Sequence, residues 1–295
     1  MLKQKKLLTQ ELFINMLLKP YFENISEEEY RGSDRVSYSL LKGFAENGPK
    51  VLVEPPKGVE GTGLTLGSIV DKLLTMPGYN PSSEYKIVDI AIDFNGGTHI
   101  HTLLKFLRDN PDINVFKEEN GVFYQDTEAV ERLFPILEFK RPPVLTDYFW
   151  QAAEVLRDTA RGVKMISTVE LMLAYRMVEV LKSHPHTADI INPPLDIEVI
   201  KQAIVFFTIR GVKCKSMLDI VLIDHRNKTI YPYDIKTGTD FKFMDNFYRY
   251  KYYIQGSMYH HALQYLLESN ELNAGLDGYK IADTFSFIYL SRENP

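Results

Sequence analysis

The sequence predicts an α/β protein, a mixed central β-sheet flanked by helices and preceded by a helical N-terminal elaboration. Three observations carry that prediction. The first half of the chain spaces its apolar residues as helices do and is punctuated by Gly and Pro. After Pro193-Pro194 the texture changes to short β-branched and aromatic runs separated by turn residues. A long helical stretch follows, and then one more strand-like run. Consecutive strands, a helix and a returning strand make a mixed α/β core.

The elements follow in order. The opening MLKQKKLLTQELFINMLLKP begins with a basic cluster and interleaves polar with apolar positions, which reads as an amphipathic helix without the apolar run of a secretory signal. SYSLLKGFAEN, residues 37–47, starts with serines suited to N-capping and stops at Gly48-Pro49. KVLVEPPKGVEGTG reads as a loop, and LTLGSIVDKLLTM, residues 64–76, as a helix ending at Pro77-Gly78. Further helices are expected near 97–109, 127–138, 145–160 and 167–183, the last opened by a Ser/Thr and a nearby Glu. LDIEVIKQAIVFFTIRG, VKCKSMLDIVLID and KTIYPYDIKTG read as strands, 244–267 as a long helix, and DTFSFIYLSREN as a final strand. The expected organisation is a single domain over 1–295, with 1–193 mainly helical and 194–295 the α/β core.

Composition bounds the function classes. Of 295 residues, 45% are hydrophobic and 25% charged, ordinary for a globular protein. A formal net charge of −5 excludes a globally basic nucleic-acid coat but not a local basic groove. Cys214 is the single cysteine, so one chain forms neither a disulfide framework nor a four-cysteine metal site, and a cytoplasmic, reducing compartment is expected. No run approaches the roughly 18–20 apolar residues that span a bilayer, so no membrane partner is expected.

The chemistry centres on MLDIVLIDHRNKTIYPYDIK, residues 217–236. A turn centred on Arg226-Asn227 pairs His225 with Lys228, Ile223 with Ile230, Val221 with Pro232, and Asp219 with Asp234. Directly opposed side chains lie about 4.5–5.5 Å apart at Cβ, and two carboxylates there repel unless a cation lies between them. Mg²⁺ or Mn²⁺, hard cations with oxygen ligands, suit that spacing, with the Ile235 carbonyl as a further donor. Strand alternation puts Lys236 on the face of Asp234. A metal with an ammonium beside it is suited to polarising a phosphate and positioning a water. A lone D-x-K triplet is more often a strand end with a solvated lysine, and Pro232 weakens the local pairing, so the hairpin needs support.

Support comes from the following helix. In YRYKYYIQGSMYHHALQYLL, Gln255 and Tyr259 share a face, and Arg249, Lys251, Tyr250, Tyr252 and Tyr253 interleave charge with rings, as a phosphate backbone and unpaired bases require. Packing of a half-buried helix accounts for the tyrosines taken singly. Lys215, four residues before Asp219, is a candidate phosphate contact. The pairs His99/His101 and His184/His186 are not expected to bind metal, the first because i and i+2 diverge on a helix, the second because a proline separates them.

Aspartate, hairpin, D-I-K-T-G and then Q-x-x-x-Y on a helix resembles the PD-(D/E)XK nuclease superfamily in its RecB-like exonuclease branch, of phage or bacterial type. The resemblance covers roughly 37–76 and 198–291. It implies a restriction-endonuclease-like core. Asp71, after Gly67, stands where that branch carries a metal-binding histidine, and Gln202 matches a Glu or Gln often found on the preceding strand. By resemblance, Asp219, Asp234 and Lys236 are catalytic, Asp71, Asp219, Asp234 and Ile235 hold Mg²⁺ or Mn²⁺, and Gln255, Tyr259, Lys215 and Arg249 contact DNA. The implied activity is a metal-dependent deoxyribonuclease, an exonuclease of recombination, repair or phage DNA processing. Its implied partners are DNA ends or single strands, with a homo-oligomer or recombination partner protein also admitted. The iron–sulfur members need four cysteines, which this chain lacks. The alternative is an inactive nuclease-fold protein that binds DNA or a protein, and the departure at Asp71 favours it.

Overall fold

Residues 197–238 supply three long strands because β-branched and aromatic residues alternate there between tight turns. A computed structural model describes residues 22–23, 25–53, 62–239, 243–269 and 275–293, with the side chains of 62–64 excepted. The expected N-terminal amphipathic helix lies outside the described residues. The chain forms two compact units, one of residues 1–78 and 174–295, the other of residues 79–173.

In the first unit, strands β1 (Ile197–Ile209), β2 (Val212–Asp224) and β3 (Thr229–Gly238) run antiparallel in sequence order. Two shorter strands, β4 (Lys280–Ile281) and β5 (Ser286–Ser291), pair with β3 in parallel, which makes the sheet mixed. Helices α1 (Glu27–Gly32), α2 (Tyr38–Asn47) and α3 (Thr62–Thr75) precede the sheet in sequence. Two more, α4 (Phe243–Arg249) and α5 (Tyr252–Glu268), lie between β3 and β4.

The core follows from pattern. Ala203, Val205 and Phe207 point one way from β1, and Met258, Tyr259, Ala262, Leu263 and Leu266 form the buried stripe of α5. Both faces of β2 are covered, so Leu218, Ile220, Val221, Leu222 and Ile223 are all buried. Each such side chain contributes on the order of 1.5–3 kcal/mol by burial. Gly67 lets α3 approach β3, because a Cβ there would meet Thr237 Oγ1 at 3.0 Å. The Lys201 ammonium donates to the Leu74 carbonyl at 2.7 Å and closes the C-terminus of α3.

Two helices depart from expectation. The stretch 244–267 is not one helix but α4 and α5, with Lys251 left-handed between them at φ 55. The cause is tertiary. Tyr38 donates its hydroxyl to the Tyr250 carbonyl, and Ile254 N–H bonds Lys251 instead. The stretch 127–138 is helical only over Thr127–Glu131, and Pro135, which has no N–H, lies in the turns that follow.

The second unit holds helices His99–Asp109 and Asp147–Ala160 around a core that includes Leu103, Leu104, Phe149 and Trp150. It adds a hairpin, Phe116–Glu119 with Val122–Gln125, unforeseen in the sequence. Asn120 and Gly121 both take positive φ, 52 and 79, as a two-residue turn requires. No helix among the described residues is long and apolar enough to cross a membrane.

Candidate active site

The hairpin register is the one counted outward from Arg226-Asn227. Ile223 faces Ile230 and Val221 faces Pro232, and the turn is held by the Asp224 carboxylate, which accepts from the N–H of Arg226 and Asn227 at 3.0 and 2.9 Å. Regular pairing ends at Ile220 and Tyr233. One step further, where Asp219 and Asp234 would face each other, the Asp219 carboxylate itself accepts from Ile235 N–H at 2.8 Å. On the other side of β2 the ladder steps from Lys201–Ile220 to Ala203–Leu218 and omits Gln202, whose φ is 52. The row Gln202, Asp219, Asp234 is therefore a break running across three strands. A non-glycine residue in the left-handed region costs about 1–3 kcal/mol, and such strain concentrates at working sites.

Each carboxylate at this break has an assigned holder. Asp234 is 1% exposed; its Oδ1 accepts from Gln255 Nε2 at 2.9 Å and its Oδ2 is ion-paired with the Lys236 ammonium. Gln255 Nε2 also bonds the Tyr259 hydroxyl at 2.9 Å, because positions four apart on α5 share a face. From α3, Asp71 receives the Gln202 amide on both oxygens, at 2.9 and 3.0 Å. The Lys236 ammonium also lies 5.1 Å from the centre of the Tyr252 ring and 6.0 Å from that of Phe287.

The electrostatics are those of crowded, under-neutralised carboxylates. Burial first, then the charges of Glu27 and Asp234, push Asp71 up to about 6, against the Gln202 bond and Lys236. Burial and the Asp234 charge hold Asp219 well above the carboxylate range. Burial raises Asp234, with Lys236 opposing. For Lys236 burial works against the charge, but Asp234 and Asp219 outweigh it and its pKa rises, so the ammonium stays protonated. Burial and the same two aspartates carry Tyr259 far upward, so it is a neutral phenol.

Asp71, Asp219, Asp234, Lys236, Gln202, Gln255 and Tyr259 are thus one connected group. Gln255 and Tyr259 stand behind Asp234, each 6% exposed. Lys215 is not brought there: its ammonium donates to the carbonyls of Tyr30, Arg31 and Ser33 at 2.7, 3.1 and 2.7 Å, closing α1. Arg249 is exposed at the end of α4, its guanidinium 5.6 Å from the Tyr250 ring. The Ile235 N–H is engaged by Asp219.

The sequence reading missed Glu27 and Tyr38, and took Tyr252 only as one of the rings interleaved with charge. Glu27 raises the Asp71 pKa from α1, and Tyr38, raised chiefly by burial, feels Tyr252 and Asp234. No local pattern marks them, since Tyr38 and Tyr250 are 212 positions apart. His99 stacks on Phe139 at 4.3 Å, His101 bonds Thr98, and His184 accepts from the His186 N–H. Among the described residues no three His, Cys, Asp or Glu side chains are set to hold an ion unaided. Mg²⁺ is ordinarily held by one or two carboxylates together with water and substrate phosphate, so that observation is compatible with Asp219 and Asp234. The donor chemistry fits: hard carboxylate oxygens, buried, from aspartates that lie close enough to raise one another's affinity for a cation or a proton.

No family model matches the chain, and no curated protein does. Among solved structures the chain is similar to the "Putative exonuclease" from Eubacterium rectale, at 16% identity and a TM-score of 0.35, over 92% of this chain and 74% of that one. A likeness that weak carries no inference about this chain's activity.

Proposed function

We propose that the chain is a metal-dependent DNA nuclease, acting as an exonuclease on phosphodiester bonds. The observation that carries this reading is the buried group of Asp219, Asp234 and Lys236 at a break in the sheet, with Asp71 joined to it from a helix. A purely structural core gains nothing from two buried carboxylates whose charges oppose each other.

Asp219 and Asp234, joined by Asp71, would hold Mg²⁺ or Mn²⁺, which when bound supplies Lewis acidity and a more acidic water. The residues themselves do the rest. Gln255 and Tyr259 fix Asp234, Ile235 N–H fixes Asp219, and Gln202 fixes Asp71, so the oxygens are preorganised. Lys236, held protonated, can leave Asp234 for the phosphoryl oxygens and offset charge that develops there. No side chain need form a covalent intermediate.

The test is end-labelled linear DNA, single- and double-stranded, with Mg²⁺, Mn²⁺ or EDTA, for the natural chain and Asp234→Ala. Metal-dependent shortening lost in the variant is the expected result, and the label pattern gives the polarity. Equal cleavage by a folded Asp234→Ala protein would refute the assignment. A second reading, a non-catalytic scaffold binding DNA or protein, is favoured by Asp71 in place of histidine and by the acidic net charge; absence of both cleavage and Mn²⁺ binding would favour it over the nuclease.

A further inference from the structure

Beside the carboxylates lies a surface of rings and cations that positioning those carboxylates does not use. At the joint between α4 and α5, Tyr248 is 64% exposed, Tyr250 36% and Tyr253 48%. Each is backed by another ring: Tyr248 and Tyr253 by Phe247 at 5.4 and 6.1 Å, Tyr250 by Tyr252 at 5.8 Å. They are therefore fixed in place yet leave area open to solvent. Adjacent exposed rings of this kind mark binding surfaces more than packing.

Two cations accompany them. The Lys42 ammonium lies 4.8 Å from the centre of the Tyr250 ring, and the Arg249 guanidinium 5.6 Å. The joint itself is strained, with Lys251 left-handed at φ 55, and is held by the Tyr38 hydroxyl on the Tyr250 carbonyl. Strain retained at a joint that displays a ring is a reason to look for a ligand on that ring. The surface is also continuous with the site. From Tyr250 the path runs to Tyr252 at 5.8 Å and on to the Lys236 ammonium, 5.1 Å from the Tyr252 ring.

We propose that Tyr250, with Lys42 and Arg249 beside it, is a stacking seat for an unpaired base, so that the site takes single-stranded DNA. A flat ring flanked by cations complements a flat base carried on a phosphate backbone. Duplex DNA presents no free base face along its length, so the seat selects single strands or frayed ends. The inference rests on the nuclease reading for what happens at Lys236, but the seat is tested by binding.

The experiment uses the full chain carrying Asp234→Asn, in EDTA, with three fluorescent probes of equal length: oligothymidylate, its abasic counterpart and a blunt duplex. Tyr250→Ala is expected to weaken oligothymidylate binding about ten-fold while changing abasic and duplex binding little. Tyr250→Phe should bind as tightly as Tyr250, and Tyr250→Leu, which keeps apolar packing at the joint, should lose as much as Ala. Equal effects of Tyr250→Leu on the normal and abasic strands, or no effect on either, would overturn the seat. Cleavage by the natural chain without a base-dependent difference sinks the seat and leaves the nuclease. The base-dependent difference without cleavage does the reverse.

Discussion

Gln202 and Asp71 meet across 131 positions of sequence, the glutamine amide donating to both carboxylate oxygens at 2.9 and 3.0 Å from a backbone held at φ 52. A regular strand would carry Gln202 in the ladder opposite Asp219. The break frees it to reach a helix, and the helix-borne carboxylate is thereby tied to the strand-borne pair.

That tie predicts a pH effect. The folded pKa of Asp71, about 6, lies above its ordinary 3.8, so the folded state binds this proton more tightly than the unfolded one. The associated stability is fully present below about 4 and is lost as pH rises through about 6. Asp71→Asn removes the charge and should raise the Tm of metal-free protein at pH 7.5, by at most about 3 kcal/mol of stability, with no gain at pH 4. Thermal melts in EDTA at the two pH values decide it; a variant equally destabilised at both would contradict the assignment.

Lys236 neutralises buried charge, so its removal should be costly and specifically repairable. Lys236→Met leaves Asp234 unpaired in the core and is expected to cost about 3–5 kcal/mol at neutral pH. Adding Asp234→Asn should recover much of that loss. Urea midpoints for the two single variants and the double test the coupling, and simple additivity would show the pair is not an energetic unit.

Gln255 acts on Asp234 from behind. Gln255→Leu strips the bond to Asp234 and the one to the Tyr259 hydroxyl. If the chain cleaves DNA, kcat should fall about 10–100-fold while KM moves little, as for lost orientation of a ligand. A KM effect alone would make Gln255 a DNA contact.

Lys215 separates structure from recognition. Its three carbonyl bonds close α1, so Lys215→Met should lower stability by about 1–3 kcal/mol. If the chain binds DNA as proposed, the salt dependence of that binding should keep its slope, whereas loss of a phosphate contact would reduce it by about one.

The sequence by itself determined what short-range rules control. Alternation and a polar turn set the β2–β3 register as far as Tyr233, glycine and spacing put Gly67 and Asp71 on one helix, and four-residue spacing aligned Gln255 with Tyr259. These are consequences of periods 2 and 3.6 and needed no knowledge of neighbours. Tertiary structure decided the rest through groups distant in sequence. It turned the expected face-to-face aspartates into a break where Asp219 bonds Ile235 N–H, split the long helix by giving the Tyr250 carbonyl to Tyr38, and spent Lys215 on a helix end. A backbone group or a buried charge takes whichever partner folding brings within reach, and periodicity does not encode which one arrives.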